Sequence, residues 1–220
     1  MKRLAIAMLL FSGLAAILSA CKKTSFLDQT VTSSLDENST FKDSSNAMQF
    51  LNNIYVNIGF ATDPRRFTNN SNYAAGLEAA CDEAEGPNAA STNGFIQFAT
   101  GSVNPTIVPS DAWNICYSNI RAVNQFLKHI PVIPFNSALK QQVSAEARFL
   151  RAWYYTMLMQ HYGGVPLIGD TIYTSADHID VKRNTYSECV NYVLKELDAA
   201  AAVLPTTWSG AQYGRASRGA

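Results

Sequence analysis

Residues 146–167 read Glu146-Ala147-Arg148-Phe149-Leu150-Arg151-Ala152-Trp153-Tyr154-Tyr155-Thr156-Met157-Leu158-Met159-Gln160-His161-Tyr162-Gly163-Gly164-Val165-Pro166-Leu167. Within and just ahead of this stretch, Val143, Ala147, Leu150, Tyr154, Met157 and His161 recur at alternating steps of four and three, which places them on one helical stripe. Phe149, Trp153 and Leu158 fall elsewhere around the same helix, so its apolar surface is too wide for a single contact face. The pattern predicts a helix over Ser137–Tyr162 buried on more than one side. It stops at Gly163-Gly164-Val165-Pro166, where glycine takes the left-handed cap and proline cannot continue the hydrogen-bond ladder.

Working outward, the fold class is mainly α. Downstream, Thr185-Tyr186-Ser187-Glu188 is a capping box, and Tyr186, Val190, Val193, Leu197, Ala201 and Leu204 form the stripe of a helix stopped by Pro205. Upstream, Pro109-Ser110-Asp111 precedes Trp113, Cys116, Ile120, Val123, Leu127 and Ile130, with Pro131 just beyond and Asn119, Arg121, Gln125 and Lys128 on the other sides. Earlier still, Asp43-Ser44-Ser45 starts a helix carrying Ala47, Leu51, Ile54 and Ile58 and stopped by Gly59. A fifth helix is expected near Ala216. Residues 61–109 hold no sustained period and are rich in Asn, Ser, Thr, Gly and Ala; so long an irregular segment usually means either function or short elements that periodicity does not place. Within it, Phe95-Ile96-Gln97-Phe98 alternates as a brief strand, one half of a short pair, would.

Composition removes several classes. The chain has 220 residues, 47% of them hydrophobic, and only 15% charged, which is enough apolar mass for a core and too little charge for a disordered tail. Lys+Arg 17 balance Asp+Glu 17, so the basic surplus of a nucleic-acid binder is lacking. At the N-terminus, Lys2 and Arg3 precede an uncharged apolar run over residues 4–18 that ends in Leu18-Ser19-Ala20-Cys21. This is a secretory signal in form, and its end resembles a bacterial lipobox, with Cys21 as the lipidated residue. The expected organisation is a signal peptide over 1–20, a lipidated tether over 21–40 and a helical domain over 41–220. Removing residues 1–20 leaves 200 residues with 15 basic against 17 acidic side chains. Of the remaining cysteines, Cys81, Cys116 and Cys189 stand at wide spacings without a CxxC pair, so zinc and redox motifs have no support, and no structural disulfide is expected. No catalytic, nucleotide-binding or cofactor motif is present.

Residues 146–167 also resemble the signature helix and turn of the SusD/RagB family, outer-membrane lipoproteins of Bacteroidetes that work in nutrient uptake. Three further pieces agree in order: Cys21 followed by Phe26-Leu27-Asp28, Trp113 with Tyr117, Ile120 and Asn124, and Gly214-Arg215-Ala216-Ser217-Arg218-Gly219-Ala220. The resemblance implies tetratricopeptide-like helix pairs decorated by long loops. It implies a SusC-type TonB-dependent outer-membrane transporter as partner, and anchoring of the protein at the cell surface. Family members are much longer, so the chain reads as an N-terminal portion truncated at its C-terminus. Lys22 and Lys23 depart from the acidic residues that often follow the lipidated Cys in surface-directed lipoproteins, so surface exposure follows from the family alone.

The candidate site residues carry competing readings. Arg148 and Arg151, three apart beside Glu146, form either a clamp for a carboxylate or phosphate or structural ion pairs with Asp198 or Glu196; so apolar a helix favours the pairs. His161 reads as a packed or capping residue. Asp82, Glu83 and Glu85 form the densest acidic cluster, and a solvated loop face fits them better than glycosidase carboxylates or a calcium site, whose spacings they lack. Sugar capture calls for flat aromatic faces with amides nearby. The long loop supplies Phe67, Tyr73, Phe95 and Phe98 among Asn69, Asn70, Asn72, Asn88 and Asn93, though no Trp. The reading is a nonenzymatic lipoprotein that captures a nutrient, an oligosaccharide before a peptide, without cofactor or metal. The rivals are a helical-repeat scaffold binding only proteins and a lipid-anchored glycosidase using Asp82 and Glu85.

Overall fold

Helix starts follow the capping chemistry of the sequence. The computed structural model describes residues 37–61, 81–83, 96–102, 104 and 112–220. The helices are α1 Glu37–Lys42, α2 Ser44–Tyr55, α3 Ile96–Ala99, α4 Ala112–His129, α5 Ser137–Tyr162 and α6 Tyr186–Ala201, with 3-10 turns at Val56–Ala61 and Gly210–Gln212. The Asp43 carboxylate accepts from the Asn46 N–H at the start of α2, and the Asn136 side chain accepts from the Leu139 N–H at the start of α5. At α6 the capping box is complete, with Thr185 and Glu188 each accepting from the other's backbone N–H. At the far end of α5, Gly163 takes a φ of +69° while its N–H donates to Met159 O.

The expected wide burial of α5 is met. Val143, Ala147, Leu150, Ala152, Tyr154, Tyr155 and Leu158 all have 0% exposure. The connection from α4 to α5 is short, and the Trp113 N–H at the start of α4 donates to Tyr162 Oη at the end of α5, so the two run antiparallel. α6 also runs antiparallel to α5, with Cys189 against Val165 at one end and Ala200 beside Ala145 at the other. α2 crosses the remaining side, where the Tyr154 hydroxyl donates to Ile54 O. The result is tetratricopeptide-like stacking of helix pairs, in which each apolar face is covered by its neighbour. Among the described residues no helix is long and apolar enough to cross a membrane.

Three expectations need correction. Of the stretch Phe95-Ile96-Gln97-Phe98, the described residues form no strand: Ile96–Ala99 is a single helical turn, with Gln97 buried and Phe98 44% exposed. Four residues of alternation are too few to separate a period of 2 from one of 3.6. The chain then reverses through Gly101, whose φ is +68°. No helix forms at Ala216; residues 217–220 close a turn in which the Ala220 N–H donates to Ser217 O. Finally, α1 lies partly within the stretch read as tether. It is under two turns long, with Phe41 as its apolar anchor, so no period announces it. Phe41 is 1% exposed, stacks on His129 at 4.3 Å and meets Phe50 edge-on at 5.1 Å.

The second glycine of the α5 stop has a different task from the first. A Cβ on Gly164 would overlap the Asn184 carbonyl oxygen and lie 3.1 Å from the Thr185 carbonyl carbon and the Tyr186 nitrogen. These are backbone atoms at the start of α6, which cannot move without shifting the helix. Gly164→Ala is therefore expected to destabilise the fold by about 1–3 kcal/mol, read as a lower urea midpoint with unchanged slope. Gly219→Ala, where nothing lies within 4 Å, serves as the neutral control.

Candidate functional site

One face of α4 presents Trp113, Tyr117 and Arg121, four apart and therefore stacked along the same side of the helix. The chain leaving α5 folds back over this face. Pro166, Ile168 and Tyr173 form the opposite wall of a cleft of about 270 Å³, with Ile179 and Val181 at its edge. Trp113 and Tyr117 rings meet at 4.9 Å and 53°, and Tyr162 meets Trp113 edge-on at 5.3 Å. The Tyr117 hydroxyl donates to Pro166 O at 2.7 Å, tying the loop to the helix. Burial pushes the Tyr117 phenol above its ordinary range, which keeps it neutral and donating. The Arg121 side chain donates to Tyr173 O at 3.2 Å, and the Arg183 guanidinium sits 5.8 Å from the Trp113 ring centre. Ile179 and Val181 remain 57% and 38% exposed, so apolar surface continues out of the cleft. Flat aromatic faces edged by guanidinium and hydroxyl groups can stack on the apolar side of a pyranose ring and bond its hydroxyls.

The charges of α5 are met by partners on other elements. Arg148 meets Glu196 through Nε and Nη2 at 3.3 and 2.8 Å, and Arg151 meets the same carboxylate at 3.1 and 2.7 Å. Both cations face α6, so Glu196 rather than Asp198 is the shared partner. Arg151 Nη1 also donates to Asp170 at 2.6 Å and to Asn124 Oδ1 at 2.7 Å. Asn124 in turn donates to Gly169 O and Thr171 O, both at 2.9 Å, which fixes the loop after Pro166. Burial opposes the Arg151 charge, but Tyr192, Glu196 and Asp170 outweigh it and raise its pKa. Glu146, with 0% exposure, accepts from Tyr55 at 2.8 Å and from Arg215 at 2.6 Å. The His161 ring bonds Met157 O in its own helix at 2.8 Å, a packed role as expected.

Of the sequence-derived sugar contacts, Phe98 alone is described, and it stands exposed on α3. Phe67, Tyr73, Phe95, Asn69, Asn70, Asn72, Asn88 and Asn93 lie outside the described residues, as do Cys21 and Glu85. Asp82 and Glu83 sit exposed in a turn. Among the described residues no disulfide joins Cys81, Cys116 and Cys189, of which the first is exposed and the last two are buried. Among the described residues no three His, Cys, Asp or Glu side chains gather as metal ligands. The aromatic cleft went unread in the sequence because Trp113 lies on the apolar stripe of α4 and looked like core. A signal was available in the Trp113–Tyr117 spacing together with the apolar Ile179 and Val181 in a loop.

Antiparallel helix pairs with a cleft where a helix face meets a covering loop define a tetratricopeptide-like helical protein. A family model for SusD-like proteins, described as starch-binding associating with outer membrane, matches residues 25–220. The chain belongs to the SusD-like family. A solved SusD-like protein from Bacteroides fragilis is 25% identical, with a TM-score of 0.64 over 86% of this chain and 35% of its own. A laminarin-binding SusD-like protein is 26% identical, with a TM-score of 0.70 over 81% of this chain and 38% of its own. Surface glycan-binding protein A from Bacteroides thetaiotaomicron, solved with laminarihexaose, shares the fold at 17% identity and a TM-score of 0.62, over 80% of this chain and 36% of its own. The chain thus spans little more than a third of the length of these structures. No curated protein matches it.

Proposed function

We propose that the protein is a nonenzymatic outer-membrane lipoprotein that captures an oligosaccharide and delivers it to a SusC-type TonB-dependent transporter. The observation that carries the capture step is the aromatic cleft, where Trp113 and Tyr117 line a concave, largely apolar wall edged by Arg121 and Thr171. The family description and the laminarin-binding relative support a glycan as ligand. Residues 1–20 serve as signal peptide, Cys21 carries the lipid, and the following stretch tethers the helical body to the membrane surface. The long-loop residues Phe67, Tyr73, Phe95, Phe98, Asn70 and Asn72 extend the sugar contacts.

Calorimetric titration of the whole protein against starch fragments, laminarin oligosaccharides and peptides tests the ligand class. A glycan is expected to bind saturably, and Trp113→Ala to weaken it about tenfold or more, while Trp113→Phe keeps most of the affinity and the fold. Saturable binding to peptides alone would overturn the sugar reading. Affinity purification from outer membranes is expected to recover a TonB-dependent transporter, and repeated failure to do so would remove that partner.

A further inference from the structure

On α4, just beyond the aromatic cleft, lies a second and larger concavity. It has a volume of about 700 Å³ and lies between α4, α5, α6 and the turn at Gly169-Asp170. This is the range of a small-ligand site. Each of the three helices sends a cation to it: Lys128 from α4, Arg148 from α5 and Lys195 from α6. With Arg151 the cleft lining holds four cations against the two carboxylates of Asp170 and Glu196, in a chain whose total charge is zero.

These cations differ in how far they are already satisfied. Arg151 is saturated by Glu196, Asp170 and Asn124. Arg148 uses Nε and Nη2 on Glu196, and its Nη1 has no partner among the described residues. Neither Lys128 nor Lys195 forms an ion pair among the described residues, and both are exposed. Glu196 is consumed by the two arginines and is only 5% exposed, so it cannot neutralise the lysines. Asp170 is held by Arg151 at the mouth, with its side chain 88% exposed. The Tyr192 ring lines the wall, and its buried hydroxyl has no hydrogen-bond partner among the described residues. Burial pushes that phenol up to about 12, so it adds no negative charge.

We infer that this cleft is a binding site for a carboxylated sugar, such as a uronic acid unit, seated with its carboxylate among Lys128, Arg148 and Lys195. Three cations from three rigid helices give converging charge-assisted donors for one anionic group. The exposed Asp170 carboxylate repels a doubly charged phosphate monoester more than a singly charged group, and it accepts hydrogen bonds from sugar hydroxyls, which favours a singly charged, hydroxyl-rich ligand. The sugar part of this assignment rests on the glycan-capture reading above; the anion part rests on the cleft itself.

Titrating the whole protein at low salt with a short oligogalacturonate, a neutral oligosaccharide of equal length and sodium sulfate tests it. The oligogalacturonate is expected to bind at least about tenfold more tightly than either comparison, with affinity falling as salt rises. The exposed pair Lys128→Gln and Lys195→Gln, combined, is expected to remove that preference and to leave thermal stability and neutral-glycan binding unchanged. An oligogalacturonate that binds no more tightly than its neutral counterpart, or a double variant that keeps the preference, overturns the inference while leaving glycan capture standing. Sulfate binding as tightly as the uronate reduces the cleft to an anion site and overturns the sugar assignment. Failure of both oligosaccharides overturns the capture reading as well.

Discussion

Glu196→Ala is expected to destabilise the protein by about 3–5 kcal/mol, measured by urea unfolding at neutral pH. The carboxylate is 5% exposed and accepts from both arginines of α5. Removing it leaves the Arg151 guanidinium, also 5% exposed, in a low-dielectric interior with Asp170 and Asn124 as its remaining partners. Those partners hold the expected loss toward the lower end of the range. Arg148 is 33% exposed and can rehydrate, so it contributes little to the penalty. The physical signature of this account is asymmetry: replacing both ends with apolar groups, as Arg151→Met with Glu196→Leu, should recover much of what the single change loses. A loss below about 1 kcal/mol in the single variant would mean that Asp170 suffices for Arg151, and the buried charge account would be wrong.

Tyr154→Ala is the second large effect, also about 3–5 kcal/mol. Tyr154 has 0% exposure in the middle of α5, where the helix is enclosed by α2 and α4. Truncation deletes a ring from packed surroundings and leaves a cavity that rigid helices cannot collapse around. It also removes the hydroxyl that donates to Ile54 O and joins α5 to α2. Tyr154→Phe separates the two contributions: it keeps the ring and loses the hydrogen bond, for an expected cost of about 1 kcal/mol. If the Phe variant were as unstable as the Ala variant, the hydrogen bond rather than the packing would govern this contact. Circular dichroism melts of the three proteins decide between them.

The helices were legible because their signals are short-range. Asp43 with Asn46, Asn136 with Leu139 and Thr185 with Glu188 are three-residue relations, and each appears at a real helix start. The stop at Gly163 is equally local. Where the local signal was thin, reading failed: α1 has Phe41 as its anchor, and one turn at Ile96–Ala99 passed for a strand. The ion pairing of the α5 arginines was foreseeable in kind, since a half-buried cation needs a partner. Choosing Glu196 over Asp198 required the rotation of α6 about its axis, which sequence spacing does not supply.

The same division holds for the sites. Trp113 read as core, because a periodic pattern registers which face of a helix is apolar and not what covers it. The loop that returns over α4 makes that face a cleft, and Lys128, Arg148 and Lys195 line one concavity because α4, α5 and α6 surround it. The C-terminal Gly214–Ala220 segment gave the same lesson: expected to start a helix, it instead brings Arg215 back to Glu146, 69 residues away in the chain. By itself the sequence determined where α2, α4, α5 and α6 begin, that α5 is enclosed, and which family the chain resembles, since caps, stops and stripes depend on neighbours within a turn or two. The tertiary structure alone decided which charges pair and where clefts open, because those depend on the mutual rotation of packed helices and on long-range contacts that local periodicity does not encode.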